Sequence, residues 1–197
     1  MTPTETQLRT PRLLLAAPGA EHADAVLRLA SDPDVALWNP LRGVTDEASA
    51  RDWCLRAADW TDGTHATFLI LDNGGEGGSA SGAVAGERAV LGNIAVHSVN
   101  ERSASAEVGY RVAPEARGRG FAVEALLAVS TWAFEAFGVV RLELCHAAEN
   151  PASCRVAERS GFLHEGTLRL SYRYGDGLLH DEHIHGRLVT DDVTQLG

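Results

Sequence analysis

Hydrophobic positions along this chain change period several times, and each change marks an element. RLLLAA at 12–17 reads as a strand closed by Pro18-Gly19. In AEHADAVLRLA, Ala23, Val26, Leu27 and Ala30 return at threes and fours, which predicts an amphipathic helix. A second helix is expected from a Thr45 cap to about Trp60, with Asp46 and Glu47 complementing the dipole of its first turn and Trp53, Ala57 and Trp60 on one face. WNPLRG between the two helices reads as a loop, its Trp38 either a packing anchor or part of a substrate wall. ATFLILD and AVLGNIAVHS carry the branched and aromatic content of strands. The intervening segment 73–86, NGGEGGSASGAVAG, is too rich in Gly, Ser and Ala to build a core and is expected to be a mobile hairpin loop, a passive linker before a lid.

AEVGYRV at 106–112 predicts a further strand, which runs through APEARGRG into a helix. That helix repeats Val123, Leu126, Leu127, Ser130 and Phe134 on one apolar face and stops at Gly138. VVRLELC at 139–145 resumes as a strand, and NPASCRVAERSGF forms a short helix ended by Gly161. LHEGTLRLSYRY and LLHDEHIHGRLV then read as a hairpin around Gly175-Asp176-Gly177. Strand, two helices, three strands, helix, strand, helix and hairpin make a mixed α/β sheet with helices covering its faces. One domain over residues 1–197 is expected, since 45% hydrophobic content suffices for one sizeable core.

The net charge of -10 argues against a general nucleic-acid or anionic-membrane surface, because such partners need Lys and Arg to displace counterions. Cys54, Cys145 and Cys154 form neither a CxxC pair nor a complete disulfide set, and their apolar neighbours suggest buried thiols. Near the N-terminus, Pro11 and Pro18 bracket an apolar run too brief to span a bilayer, so a cytoplasmic location is expected.

The chemistry concentrates where the 106–112 strand meets its helix. If the helix begins near Gly120, the amides around Gly118, Arg119, Gly120, Phe121 and Ala122 lack intrahelical acceptors and can converge on an anion. Two glycines leave the backbone approachable, and Arg117 and Arg119 add local positive charge. The same stretch also suits an ordinary turn with solvated arginines. Val123 replaces the third glycine of a dinucleotide fingerprint, and no G-K-S/T completes a phosphate loop. A dinucleotide dehydrogenase and a P-loop ATPase are therefore disfavoured.

RGRGFA matches the R/Q-x-x-G-x-G/A signature of the GCN5-related N-acetyltransferase (GNAT) superfamily, with Arg117, Gly120 and Ala122 in the patterned places. AEVGYRVAPEARGRG and ENPASCRVAERSGFLHEG resemble the branch containing the ribosomal-protein N-terminal acetyltransferases RimJ and RimL, and the resemblance runs from TPRLLL to DEHIHGRL. It implies a mostly antiparallel sheet splayed between its fourth and fifth strands, here 106–112 and 139–145. It also implies that the turn holds the pyrophosphate of acetyl-CoA, with the strand carrying Tyr110 and Val112 along the pantetheine arm. By the same resemblance, Asn150 and Ser153 form an N-x-x-S pair facing coenzyme A. Ser153 would then hydrogen-bond or protonate the leaving thiolate, while Asn150 binds cofactor or caps the helix. A capping role alone also explains the pair.

Acetyl transfer needs a route for the amine proton. Glu107, alternating with Gly109 and Arg111 on its strand, is either that base, acting through water, or a solvated charge. Tyr172 stands where some RimL-like proteins have a glutamate, and it can orient substrate or relay a proton. Glu165 in the turn-like HEG is expected to be structural. HDEHIH puts Asp181, His183 and His185 on one strand face, but about 13 Å separates its ends along the backbone, too spread for that strand alone to gather an ion, so no metal is expected and zinc stays a minor alternative. His97 is expected to pack or to be exposed. Cys154 has no evident His partner and is not expected to act as a nucleophile.

The leading expectation is an acetyl-CoA-dependent N-acetyltransferase acting on a primary amine, foremost a protein N-terminal α-amine. A small-molecule or antibiotic amine is the alternative substrate, and a non-catalytic acyl-CoA-binding module the alternative class. The family resemblance and the apolar tail strands suggest a homodimer.

Overall fold

The computed structural model describes residues 6–74 and 88–191. Apart from Asn73 and Gly74, the loop expected at 73–86 lies outside the described residues. The strands are β1 (Gln7–Arg9), β2 (Leu13–Ala16), β3 (Ala66–Asp72), β4 (Val90–Asn100), β5 (Ser105–Val112), β6 (Arg141–Ala147), β7 (Leu163–Arg173) and β8 (Leu179–Leu188). The helices are α1 (Ala23–Ala30), α2 (Pro33–Trp38), α3 (Glu47–Ala57), α4 (Phe121–Phe137) and α5 (Pro151–Arg159). The strands form one sheet in the order β1-β2-β3-β4-β5-β6-β8-β7.

Every neighbouring pair is antiparallel except β5 and β6. That parallel pair holds only where Ser105, Ala106 and Glu107 face Arg141, Leu142 and Glu143, and beyond Glu107 the ladder ends. This is the expected splay, because the added edge strand β1 moves the sequence's fourth and fifth strands to β5 and β6.

A continuous core fills the space between sheet and helices, with Phe68, Phe121 and Phe162 its largest fully buried side chains. All seven residues of β3 are buried, as its unbroken apolar run requires. Trp60 and Trp132 close on Phe68 with ring centroids 4.8 Å and 5.0 Å away. No helix among the described residues is long and apolar enough to cross a membrane.

The structure corrects four local expectations. The second long helix, α3, is capped by Asp46 rather than Thr45 and ends at Ala57. The Asp46 carboxylate accepts from the Ser49 amide at 2.8 Å, and the Ser49 hydroxyl oxygen accepts from the Asp46 amide at 3.0 Å, a reciprocal box that Thr45 cannot make. Between α1 and α3 an additional helix, α2, begins where Asp32 accepts from the Val35 amide at 3.0 Å and Pro33 takes the first turn. In α4 the buried face begins at Phe121 and continues through Ala122, Ala125, Leu126, Val129, Ser130 and Ala133, four of them Ala or Ser, while Val123, Leu127 and Phe134 lie at its margins. Small residues occupy the inner stripe because they let the helix lie close on the sheet. Finally, only Cys54 is buried among the cysteines; Cys145 is exposed to the gap beside β5, and Cys154 is half-buried.

The β7–β8 turn braces α2. The Gly175 amide donates to the Leu37 carbonyl at 2.9 Å, and a Cβ at Gly175 would meet the Ala36 carbonyl oxygen at 1.7 Å. Gly175→Ala is therefore expected to lower stability by about 1–3 kcal/mol, the range for an overpacked contact. Urea unfolding checks it, and wild-type stability would show that this contact does not hold α2.

Candidate active site

Where β5 and β6 part, they enclose a cleft of about 940 Å³. One end is the 118–122 turn at the start of α4, and the other is walled by Trp38, Tyr172 and Tyr174. At the turn, Gly118 and Gly120 adopt φ of 72° and 79°, conformations that favour glycine. Gly120 caps α4 with no side-chain hydrogen bond, so the first-turn amides are left for an external acceptor. Nothing lies within 4 Å of a Cβ built on Gly118, and at Gly120 only the Arg12 guanidinium does, at 3.5 Å. The turn is therefore an open cradle.

Its position is fixed from behind by Glu124. That carboxylate pairs with Arg12 at 2.6 Å and accepts from the Thr10 hydroxyl at 2.5 Å, tying α4 to the approach of β2. Arg12 also donates to the Arg119 carbonyl at 2.9 Å, and both guanidinium groups sit 4.7 Å from the Phe121 ring centroid. Arg117 departs from the simple expectation of free positive charge. It pairs with Asp32, and with Asp34 at 2.7 Å, so its charge fastens the turn to α2. Arg155 and Arg159 of α5, one helical turn apart and not singled out in the sequence, bring further positive charge to the cleft lining.

Across the gap, the hydroxyls of Tyr110 on β5 and Ser153 on α5 lie 3.0 Å apart. Burial pushes the Tyr110 phenol up to about 12, against the opposing effect of the Ser153 contact, so it stays a neutral donor through ordinary pH. Asn150 caps α5, its side-chain oxygen accepting from the Ser153 amide at 3.2 Å, with Pro151 in the first turn. This fixes Ser153 in the first turn, facing Tyr110. Val112, the last residue of β5, also lines the cleft.

The other half of the cleft is acidic, with Glu107, Glu143, Glu149 and Glu182 on its lining. Glu107 is half-exposed at the point where the strands part, and His97 Nδ1 is 3.9 Å from it. Burial lowers the His97 pKa, with Glu107 opposing that shift. Glu182, which the sequence reading passed over, is a buried carboxylate accepting from Tyr174 at 2.9 Å and from Ser171 at 2.7 Å. Its alternation on β8 with the histidines hid it. Tyr172 is exposed at the cleft wall and packs edge-on to Tyr174 at 5.1 Å. Trp38, edge-on to Tyr174 at 5.8 Å, both packs and lines the cleft, so the two readings of it coincide.

Arg111 holds the floor between the halves. It donates to the Asn39 carbonyl at 2.6 Å and to the Asn39 side-chain oxygen at 2.7 Å, with no carboxylate partner among the described residues. Desolvation brings it down to about 10. Asn39 in turn donates to the Tyr110 carbonyl at 3.0 Å, which couples the end of α2 to β5. Cys145 faces the same gap, where burial in the cleft and nearby carboxylates push its thiol up to about 12, an unreactive state.

Other expectations resolve away from the cleft. Glu165 pairs with Arg141, as a structural residue should. Asp181 accepts from the Leu170 amide at 2.9 Å and does not join His183 and His185. Cys154, expected to lack a His partner, lies 3.7 Å from His185 Nε2, because β8 carries that ring under α5.

An open amide cradle, a slot between diverging strands and a pair of facing hydroxyls share one cleft and make up the candidate site. The family model of the acetyltransferase (GNAT) domain matches residues 12–163, and the chain belongs to that family. The chain is 33% identical over 96 residues to the uncharacterized N-acetyltransferase YoaA of Bacillus subtilis, an alignment covering 49% of this chain and 54% of that protein. It is 28% identical over 182 residues to the uncharacterized N-acetyltransferase p20 of Bacillus licheniformis, covering 92% of this chain and 95% of that one. Its fold is similar to that of RimL, a ribosomal L7/L12 α-N-protein acetyltransferase in complex with coenzyme A. That likeness has a TM-score of 0.78 at 19% identity and covers 95% of this chain and 100% of that one.

Gly120→Ala tests the cradle. A side chain at this positive φ costs about 1–2 kcal/mol of stability. Coenzyme A affinity is expected to fall by about tenfold, the scale of one charge-assisted hydrogen bond. Calorimetry on the folded variant reads both effects apart, and unchanged affinity would remove the turn from the binding site.

Proposed function

We propose that this protein moves an acetyl group from acetyl-CoA directly to a primary amine, and that the amine is a protein N-terminal α-amine. The observation that carries this reading is the Tyr110–Ser153 hydroxyl pair spanning the splay midway between the cradle and the acidic wall. In this reading the diphosphate sits on the amides of Gly118, Arg119, Gly120, Phe121 and Ala122, with Arg119 adding charge and Arg117 bracing the turn. The pantetheine arm runs along Tyr110 and Val112, past the helix cap at Asn150. Its thioester then lies at the hydroxyl pair, and the amine approaches from the Glu107 side.

The amine lone pair attacks the thioester carbonyl, the carbon–sulfur bond breaks, and Ser153, backed by Tyr110, hydrogen-bonds the departing thiolate or gives it a proton that water then restores to the serine. The proton lost by nitrogen goes through water to Glu107. Glu182 is the poorer base because both its oxygens already accept hydrogen bonds from Tyr174 and Ser171. An α-amine, with an ordinary pKa near 7.7–8.0, arrives partly neutral at physiological pH, whereas a lysine at about 10.4 does not. A modest carboxylate base therefore suits the former. Acidic residues around the entrance favour a cationic partner, Tyr172 would orient it, and the likeness to RimL supports a protein substrate.

We also propose that β7 is covered by a second copy of the chain. It is an 11-residue edge strand exposing Leu163, Leu168 and Leu170, a surface that monomers generally blunt. Light scattering is expected to give a dimer mass across a wide concentration range.

Single-turnover kinetics from about pH 6 to 9, with an amine identified by screening N-terminal peptides and small amines against acetyl-CoA, separates the roles. Ser153→Ala is expected to keep coenzyme A affinity while slowing chemistry by roughly 10- to 1000-fold at every pH. Glu107→Gln is expected to slow it most at low pH and to recover as the free amine deprotonates. A wild-type rate for Ser153→Ala removes the serine role. Bound acetyl-CoA left intact by every amine would make the protein a binding module instead.

A further inference from the structure

Beside Ser153, His146 on β6, which also borders the cleft, converges with His183 and His185 on β8 and Cys154 on α5. One ligand atom from each lies within 4.8 Å of the others. Sheet register produces this. His146 stands directly opposite His183, and His185 follows two residues along the same face of β8, over which α5 places Cys154. His185 and His146 are buried, while His183 and Cys154 are half-buried.

The spacing matches a tetrahedral ion. Bonds of about 2.0–2.1 Å to nitrogen and about 2.3 Å to sulfur imply ligand separations of about 3.3 Å between nitrogens and about 3.6 Å from sulfur to nitrogen. Here Nε2 of His146 and Nε2 of His185 are 3.2 Å apart, and Cys154 Sγ is 3.7 Å from the same His185 nitrogen.

Proton accounting points the same way. His146 Nδ1 lies 2.8 Å from the Ala147 carbonyl oxygen, which only accepts, so Nδ1 carries the hydrogen and Nε2 presents a lone pair. A backbone carbonyl holding the far nitrogen is the usual support of a metal-bound imidazole. For His185, a hydrogen on Nε2 would satisfy His146 but leave the buried Nδ1 a bare lone pair on the side where the Phe162 backbone favours a hydrogen. A hydrogen on Nδ1 would instead set two lone pairs face to face. Nδ1 of His183 is also buried and unpartnered. Without a cation, the cluster retains polar atoms that burial penalises by about 1–3 kcal/mol each.

We propose that His146, Cys154, His183 and His185 form a closed zinc site that ties β6 and β8 to α5 immediately behind Ser153. Four protein ligands leave no open coordination position, so the ion is structural and takes no part in acetyl transfer. On binding, the Cys154 thiol loses its proton to solvent and a sulfur–zinc bond forms, with no change of oxidation state.

The test uses the reduced full-length protein, stripped with chelator and titrated with cobalt(II) and then zinc. The expected result is one equivalent of cobalt giving the intense visible bands of a tetrahedral ion and a near-ultraviolet thiolate-to-cobalt charge-transfer band, both abolished by one equivalent of zinc. Cys154→Ser, at a half-buried position, should fold and lose the charge-transfer band, while Cys145→Ser keeps it. Zinc should also raise the melting temperature of the wild type but not of Cys154→Ser. No stoichiometric binding, or a charge-transfer band that survives in Cys154→Ser, overturns the proposal.

Discussion

The structure depends on a ladder that stops. β5 and β6 exchange backbone partners through only three residue pairs and then diverge. A parallel pair in the middle of an eight-stranded sheet would ordinarily continue, because unpaired amide and carbonyl groups deep in a fold are costly. The cleft is therefore a place where the two strands no longer satisfy each other's backbone groups. In the proposed reading the pantetheine arm takes that place, while the gap itself follows from topology before any side chain is considered.

Holding such a gap open takes braces on both sides, and the chain supplies them as charge pairs and close backbone contacts. Glu124 locks the start of α4 through Arg12 and Thr10, Arg117 ties the turn to α2 through Asp32 and Asp34, and Gly175 lets the β7–β8 turn lie against α2. These contacts also sort charge. Arg155 and Arg159 line the cleft together with Glu107, Glu143, Glu149 and Glu182, while Arg119 lies over the Phe121 ring at the turn. A molecule anionic at one end and meeting a cationic partner at the other is oriented by this field alone. The chain's net charge of -10 conceals the arrangement.

Much of this was legible in the sequence because it rests on local signals. The glycine turn, the Asn150-Pro151 cap placing Ser153, and the strand at 106–112 each depend on neighbours within a few residues. The additional helix α2 was missed, because its six residues are too few for periodicity to register, although Asp32-Pro33 is a cap followed by a favoured first-turn residue. What the sequence withheld depends on long-range register. Whether Arg117 is free or paired is decided by α2, 83 positions away at Asp34. The inner stripe of α4 is set by how closely it lies on the sheet, which favoured alanines over the larger residues that hydrophobicity alone selects. His146 and Cys154 join His185 only because β8 inserts between β6 and β7.

The proton path proposed for the site follows from the same unequal placement. Tyr110 is so withdrawn from water that it remains a neutral donor, and its contact with Ser153 leaves two hydroxyls where sulfur would depart. Glu107 lies at the wetter fork of the strands, and Glu182 is occupied by two donors. Donors that hold their protons stand on the leaving-group side, and the carboxylate with free acceptor capacity stands on the side open to water. Reversing the two would set a carboxylate against a developing thiolate, where like charges repel and the low local dielectric enlarges the penalty. In the proposed path, the divergence of β5 from β6 would therefore set the direction of proton flow as well as the shape of the slot.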